Sequence, residues 1–366
     1  MNHRKKQLRT GYTTGACAAA AAKAATKVLL LQESTLQKIT ITLPNREQAS
    51  FQLVRCGLEF SENGCKAFAS VIKDAGDDPD CTHGAEIVAE VEFLATEGVV
   101  EVLGGIGVAK VTKRGLGLAL GESAINPVPK KNIIEMVREE CKERGSCPGL
   151  KITISVPCGE EIAKQTTNAR LGLIGGISIL GTTGVVRPFS AAAYKAFLVD
   201  AIAVAKSENS PSIVLSTGGR SEEAAKKLYP TLPEHAFIQC GDRVDVALKE
   251  GALQIFSQMV VVSMVGKMSK LAQGKMNTYI KESVIDLQFL ASLFEKVGGE
   301  SKMIHALGDA PTARRVLEVA KECGLLEAFA ALLNQEAHRK MREYVENKFS
   351  ISCVLIDFDG TVLNTI

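Results

Sequence analysis

Tryptophan is absent and aromatic residues make up only 5% of the 366 positions, which leaves few rings on which nucleic-acid bases could stack. A marked excess of charge of either sign is missing as well. The 43 basic and 41 acidic residues are interspersed, net charge is +2, and no basic arm marks a nucleic-acid footprint. Long hydrophobic runs are also lacking. The uncharged stretches 171–186 and 251–266 are too short for a membrane span and carry Gly, Ser or Gln. The ten cysteines, Cys147 among them, include no C-x-x-C pair and none with a histidine at zinc-finger spacing, so reduced thiols and no metal site are expected.

The basic opening "MNHRKKQLR" imitates a secretory leader. Gly11, Tyr12, Thr13, Thr14 and Gly15 then interrupt it, and Lys23 breaks the alanines that follow. Alanine is too weakly apolar to form a convincing leader core, so a cytoplasmic protein with no membrane partner is the expectation.

What is present points to two domains, because 366 residues exceed what one core usually supports. "RTGYTTGACAAAAAKAAT" (9–26) reads as a capped helix: Thr13 or Thr14 can satisfy a free N–H, and alanine carries the helix on. Strands are expected at 38–43, 49–54, 66–74, 85–93, 99–103 and 151–157, with a turn at "PNRE" and an amphipathic helix over 130–145. That pattern predicts an α+β first domain over 1–190. Beyond it, short apolar strands at 212–216, 236–240 and 258–264 alternate with helices, and further helices are expected near 284–297, 311–323 and 325–347. Short connections between such units indicate parallel βαβ pairing, hence an α/β, Rossmann-like C-terminal domain over 191–366.

Three stretches are candidate sites. In "LSTGGRSEEA" (215–224), Gly218 and Gly219 let backbone approach a ligand at the end of the first strand of this alternation, and Asp242 stands just beyond the next strand. An acidic group about twenty residues on suits a pair of ribose hydroxyls, so an adenosine-bearing cofactor fits; a plain glycine turn with a helix cap fits the spacing equally well. "LGLIGGISILGTTGVVRPFS" (171–190) sets glycines beside Ser178, Thr182, Thr183 and Arg187, a supply of N–H, hydroxyl and guanidinium donors suited to carboxylates. "KDAGDDPDCTHG" (73–84) gathers Asp74, Asp77, Asp78 and Asp80 in one loop, which could hold a base or be a solvated acidic turn; it lacks the register of a calcium loop. "VGKMS" (265–269) has Val261 where a P-loop needs glycine, and "GGIGVAK" lacks the third glycine of a dinucleotide fingerprint. "VLIDFDGTVL" (354–363) is similar to the nucleophile strand of haloacid-dehalogenase-type phosphatases. Only seven residues follow Asp359, so a final strand ending in an Asp-Gly turn is expected instead.

Together "LRTGYTTGACAAAAAKAA", "KDAGDDPDCTHGAEI", "GESAINPVPKK", "AKQTTNARLGLIGGISILGTTGVVRPFS" and "GKMSKLAQG" resemble the cobalt-precorrin-5B C1-methyltransferases, the CbiD family, in the family's order over residues 8 to about 275. The resemblance implies methyl transfer from S-adenosylmethionine to C1 of cobalt-precorrin-5B, giving cobalt-precorrin-6A in anaerobic cobalamin biosynthesis. Cobalt would then enter only as part of the corrinoid substrate. The chain departs from the family in places. Members often carry Gly-His-x-Gly-Lys where Ser263-Met264-Val265-Gly266-Lys267 stands, Thr-His-Ser against Thr278-Tyr279-Ile280, and Gly-Asn at Gly218-Gly219.

With that activity, Thr217, Gly218, Gly219 and Asp242 are assigned to the methyl donor. Thr13, Thr14, Gly15, Gly181, Thr182, Thr183 and Arg187 are assigned to the substrate's carboxylates, and Asp74 or Asp78 to proton uptake. A corrinoid-binding or carrier protein without chemistry is the alternative. Formation of a homo-oligomer is left open.

Overall fold

In the computed structural model the chain divides into two units, Met1–Ala191 and Ala192–Ile366. Residues 8–61, 64–142, 148–300 and 312–366 are described. Residues 1–7 of the basic opening, helix positions 143–145, Cys147 and residue 311 lie outside them. Helices and sheets of mixed direction make this an α/β protein.

The first unit is organised around one helix. After β1 (Gly11–Tyr12), α1 (Thr14–Leu31) starts where Thr13, extended at φ −75°, accepts the Ala16 N–H at 3.2 Å through Oγ1. Gln32 closes it in the left-handed region. Cys17 and every alanine from Ala16 to Ala25 are at most 1% exposed, so the helix is buried on all sides. That needs partners all round. Strands β5 (Gly64–Ile72) and β6 (Glu86–Leu94) supply one wall and α2 (Pro127–Lys142) another. Methyl-sized side chains let these elements approach closely. Lys23, the charge within the alanines, donates to Thr40 O at 2.9 Å and pairs with Glu139 of α2 at 3.1 Å. α1 is also long and apolar enough to cross a bilayer, yet 83% of it is buried inside the fold.

The sheet beneath α1 runs β4-β5-β6-β9-β7, with β4 at Arg55–Ser61, β7 at Val100–Gly104 and β9 at Gly149–Ser155. All its pairings are antiparallel except β7 with β9. Strand β4 was not anticipated. β2 (Lys38–Thr42) and β3 (Gln48–Gln52) form a hairpin about the expected turn, where Arg46 has φ 73°. Ala67, Ala69, Val71, Ile87, Ala89, Val91, Ile152 and Ile154 belong to the core built on α1. On alternate positions Lys66 pairs with Glu90 at 2.9 Å and Lys151 with Glu92 at 2.7 Å. The short helix α3 (Gly159–Ala163) and two short pairings complete the unit: β8 (Lys110–Val111) with β10 (Leu173–Ile174), and β1 with β11 (Val185–Val186).

In the second unit, α4 (Ala191–Ser207) leads into β12 (Ile213–Ser216), α5 (Gly219–Leu228), β13 (Phe237–Gln239), α6 (Val244–Leu253), β14 (Gln258–Met264) and α7 (Val265–Ala272). Later helices span Leu287–Lys296, Ala313–Glu322 and Leu326–Tyr344, before β15 (Ser350–Ile356) and β16 (Val362–Thr365). The sheet order is β13-β12-β14-β15-β16. The first four strands are parallel and β16 is antiparallel. The Asp-Gly turn therefore does not end the sheet: with Gly360 at φ 90° it reverses the chain, and Val362–Thr365 pairs back onto β15. Counted along the chain, the order is 2-1-3-4-5, in which the connections on either side of the first strand leave in opposite directions. The carboxyl end of β12, beside β14, is the place where such sheets open a crevice.

Candidate active site

Two clusters emerge, one in each unit. In the first, segments 9–15, 74–78 and 180–189 converge. Gly11 and Tyr12 pair with Val186 and Val185, Tyr12 N–H donates to Asp74 O at 2.7 Å, and Asp77 N–H to Arg9 O at 2.9 Å. Thr13 N–H reaches Gly184 O and Gly15 N–H reaches Leu180 O, each at 3.0 Å, while Asp78 Oδ1 accepts the Phe189 N–H at 2.8 Å. Gly11 lies so close to Asp74, Ala75 and Gly76 that a Cβ there would strike their backbone. The candidates of the two loops and the helix turn thus belong to one cluster.

Within it the roles separate. Thr13 and Thr14 are buried and their hydroxyls are used internally: Thr13 caps α1, and Thr14 Oγ1 donates to Ser178 O at 3.1 Å while accepting the Leu180 N–H at 2.9 Å. Gly15 packs against Pro129 and Leu180, and Gly181, at φ +132°, lies against the Thr13 side chain where a Cβ would collide. Thr13, Thr14 and Gly15 are buried, and with the half-buried Gly181 they shape the loop. Thr182, Thr183 and Arg187 are exposed, together with the apolar Leu180 and Phe189. Thr183 Oγ1 turns back to Val185 O at 3.2 Å. Arg187 has no partner among the described residues.

The acidic loop carries two ion pairs. Arg9 binds Asp74 through both terminal nitrogens, Nη1 to Oδ2 and Nη2 to Oδ1 at 2.8 Å. The hydrogen bond from Arg9, then that from the Gly76 N–H, holds the Asp74 carboxyl at about 2. Such a carboxylate is a poor proton acceptor near neutral pH. The geometry therefore runs against a base role for Asp74 and makes it the counter-ion of Arg9. Behind it Lys73 is 1% exposed, with Nζ 2.6 Å from Asp80 Oδ2, and Asp80 Oδ1 accepts the Thr82 N–H at 2.8 Å and hydroxyl at 2.6 Å. Burial alone would raise the Asp80 carboxyl, but Lys73 and Thr82 outweigh it and the net direction is down. Burial pushes the nearby Cys17 thiol up to about 12, so it stays protonated.

The second cluster stands at the carboxyl ends of β12, β13 and β14. Gly218 and Gly219 open α5, and a Cβ added to either would meet nothing within 4 Å, so the turn has free space above it. Thr217 is buried, and its Oγ1 donates to Ser263 Oγ at 3.0 Å. Its carbonyl accepts from Lys267 Nζ at 2.6 Å, and the same nitrogen lies 2.9 Å from Asp242 Oδ1. Thr278 Oγ1 donates to that oxygen at 3.0 Å, the Thr278 N–H reaches Asp242 O at 2.9 Å, and Lys270 Nζ holds Thr278 O at 2.7 Å. Burial would raise the Asp242 carboxyl, but the bond and charge of Lys267, with Thr278 and Lys270, lower it overall. Thr217, Gly218, Gly219 and Asp242 are thus brought together, and Lys267, Lys270 and Thr278 join them. Those three were missed. The available signal was "VGKMS", set aside as an imperfect P-loop although it places a lysine directly after an apolar strand.

Among the described residues no group of three or more His, Cys, Asp or Glu side chains is placed to hold a metal ion.

Residues 1–188 match the CbiD family, and residues 277–365 match the CbiD C-terminal domain. The cobalt-precorrin-5B C(1)-methyltransferase of Leptospira borgpetersenii is 48% identical over 358 residues, covering 98% of this chain and 95% of that protein. The protein of the same name from Leptospira interrogans is 46% identical with the same coverage. That of Geobacillus kaustophilus is 48% identical over 90% of this chain and 87% of its own length. A crystal structure described as a cobalamin biosynthesis protein (cbiD) from Archaeoglobus fulgidus is 30% identical, covers 75% of this chain and 83% of that one, and gives a TM-score of 0.40.

Proposed function

The chain belongs to the CbiD family, and on that premise we propose that it is a cobalt-precorrin-5B C1-methyltransferase that works in cobalamin biosynthesis. The observation that carries this reading is identity of 46–48% over 98% of the chain with curated proteins of that name. We assign S-adenosylmethionine as the methyl donor and a corrinoid as the small-molecule substrate, with cobalt arriving inside it. A cytoplasmic location accords with a soluble substrate and with the burial of α1. The three parallel pairings about β12 and β14 support reading the second unit as Rossmann-like, after an α+β unit ending near residue 190.

S-adenosylmethionine supplies a methyl group on a sulfonium, and its transfer is an in-line displacement that needs alignment and exclusion of water but no protein nucleophile. The donor fits the second cluster: open space lies above Gly218 and Gly219, and a carboxylate stands at the end of the neighbouring strand. In this reading the first N–H groups of α5 and the Asp242 carboxylate hold the nucleoside half. In the first unit, Arg187, Thr182 and Thr183 take the substrate's carboxylates, and Leu180 and Phe189 offer apolar surface to its ring. Thr13, Thr14, Gly15 and Gly181 hold that loop in shape. Asp78 remains the candidate for any proton uptake.

The test mixes purified protein, labelled S-adenosylmethionine and cobalt-precorrin-5B and follows label into the corrinoid. No transfer with authentic substrate refutes the enzyme reading. Corrinoid binding without affinity for the donor would identify a carrier instead.

A further inference from the structure

Resting on the assignment of the second cluster to the methyl donor, we propose that Lys267 is a positioning residue for donor binding. Its ammonium ties the Thr217 carbonyl to the Asp242 carboxylate, and so fixes the glycine turn and the acid in the relation that one nucleoside can span.

Three observations carry this. Lys267 Nζ lies 2.6 Å from Thr217 O and 2.9 Å from Asp242 Oδ1, so one cation joins the carboxyl ends of two strands. It does so from the first turn of α7, which starts at Val265 directly after β14. A cation in a helix's first turn opposes the helix dipole, so its place there is explained by these two partners and not by helix formation. Finally, Thr278 Oγ1 and Lys267 address the same oxygen of Asp242, Oδ1. Among the described residues Oδ2 carries no hydrogen bond, and the half-buried carboxylate keeps one oxygen for an incoming hydroxyl. Lys270, one turn further along α7, holds Thr278 from the far side. Lys267 therefore acts on the donor through Thr217 and Asp242 and not by touching the reacting atoms.

The full-length chain is used for the test, with S-adenosylhomocysteine as the calorimetric probe and steady-state kinetics against each substrate in turn. Lys267→Gln is expected to weaken probe binding roughly 10- to 100-fold and to raise the donor KM in step, by analogy with the loss of an outer-shell partner that orients a metal ligand. The corrinoid KM and the melting temperature without ligand should stay near the parent values, and Lys267→Arg should recover most of the affinity. A role in folding alone would lower the melting temperature and would not separate the two KM values. If Asp242→Asn abolishes probe binding while Lys267→Gln leaves it unchanged, the latch is wrong and the donor site stands. If both variants bind the probe like the parent, the donor assignment itself falls and the latch with it. Should Lys267→Gln not fold, Thr278→Val removes the second bond to Asp242 Oδ1 and leaves the lysine in place. A raised donor KM there supports the arrangement, and an unchanged one overturns it.

Discussion

Lys73 and Asp80 anchor the acidic loop of the first unit through a pair that cannot lose one member cheaply. The Lys73 side chain is 1% exposed and that of Asp80 23%, with 2.6 Å between Nζ and Oδ2. Breaking one side of a buried pair costs about 3–5 kcal/mol, because the remaining charge keeps its desolvation without its partner. Asp80→Asn strands an almost fully enclosed ammonium and belongs at the upper end of that range. Lys73→Met leaves a carboxylate that still holds two bonds from Thr82 and some solvent, and belongs at the lower end. Removing both charges should cost well below the sum, with a coupling of about 2 kcal/mol in the double-mutant cycle. The pH dependence has a definite sign. The folded-state carboxyl of Asp80 is lowered, so its stabilisation is complete above the ordinary carboxylate range and is lost as pH falls through the lower folded value. Hydrogen exchange of peptides covering β5 and β6, with urea denaturation of the whole chain, reads these quantities. Single replacements that cost under about 1 kcal/mol, or a double replacement that costs the full sum, would refute the argument.

Gly181→Ala puts a side chain at φ +132° against Thr13 and should cost about 1–3 kcal/mol, read as a lower denaturation midpoint; an unchanged midpoint refutes the close approach. Asp74→Asn should leave the pH–rate profile unaltered from about pH 5 to about pH 9, because a group held near 2 by Arg9 does not titrate there; loss of an acid limb would restore Asp74 as a base. Arg187→Ala should raise the corrinoid KM about tenfold with no change in donor KM or melting temperature, since an exposed guanidinium without a partner among the described residues is available for binding and adds little to folding.

Much of the architecture was legible because the local signals were strong. The strand–helix alternation after residue 210, the alanine helix with its threonine cap and the hairpin at 38–52 all read directly from period and composition. Strand β4 was not read. It follows β3 after only Leu53 and Val54, with no turn residue between, and Gly57 interrupts its alternation of Cys56, Leu58 and Phe60. β16 is four residues long and pairs only across a bulge. Composition singled out the Gly/Thr loop, the acidic loop and the first helix turn separately. Their meeting depends on the two-residue pairing of Gly11 and Tyr12 with Val186 and Val185, which no local window contains. The internal use of the Thr13 and Thr14 hydroxyls was equally hidden, because a buried threonine and a ligand-facing one are spelled alike.

The alanine helix also sets an order of events during synthesis. α1 leaves the ribosome before every wall that will enclose it, and Thr14 must wait for Ser178, 164 residues later, to complete its hydrogen bonds. A leucine-rich helix exposed for that interval would be a target for aggregation. Alanine favours early helix formation by its own propensity, and Lys23 and Lys27 interrupt the apolar surface while the nascent chain lengthens. The first turn of that helix cannot complete its hydrogen bonds until residues 178–180 have been synthesised, however early the rest of the unit assembles.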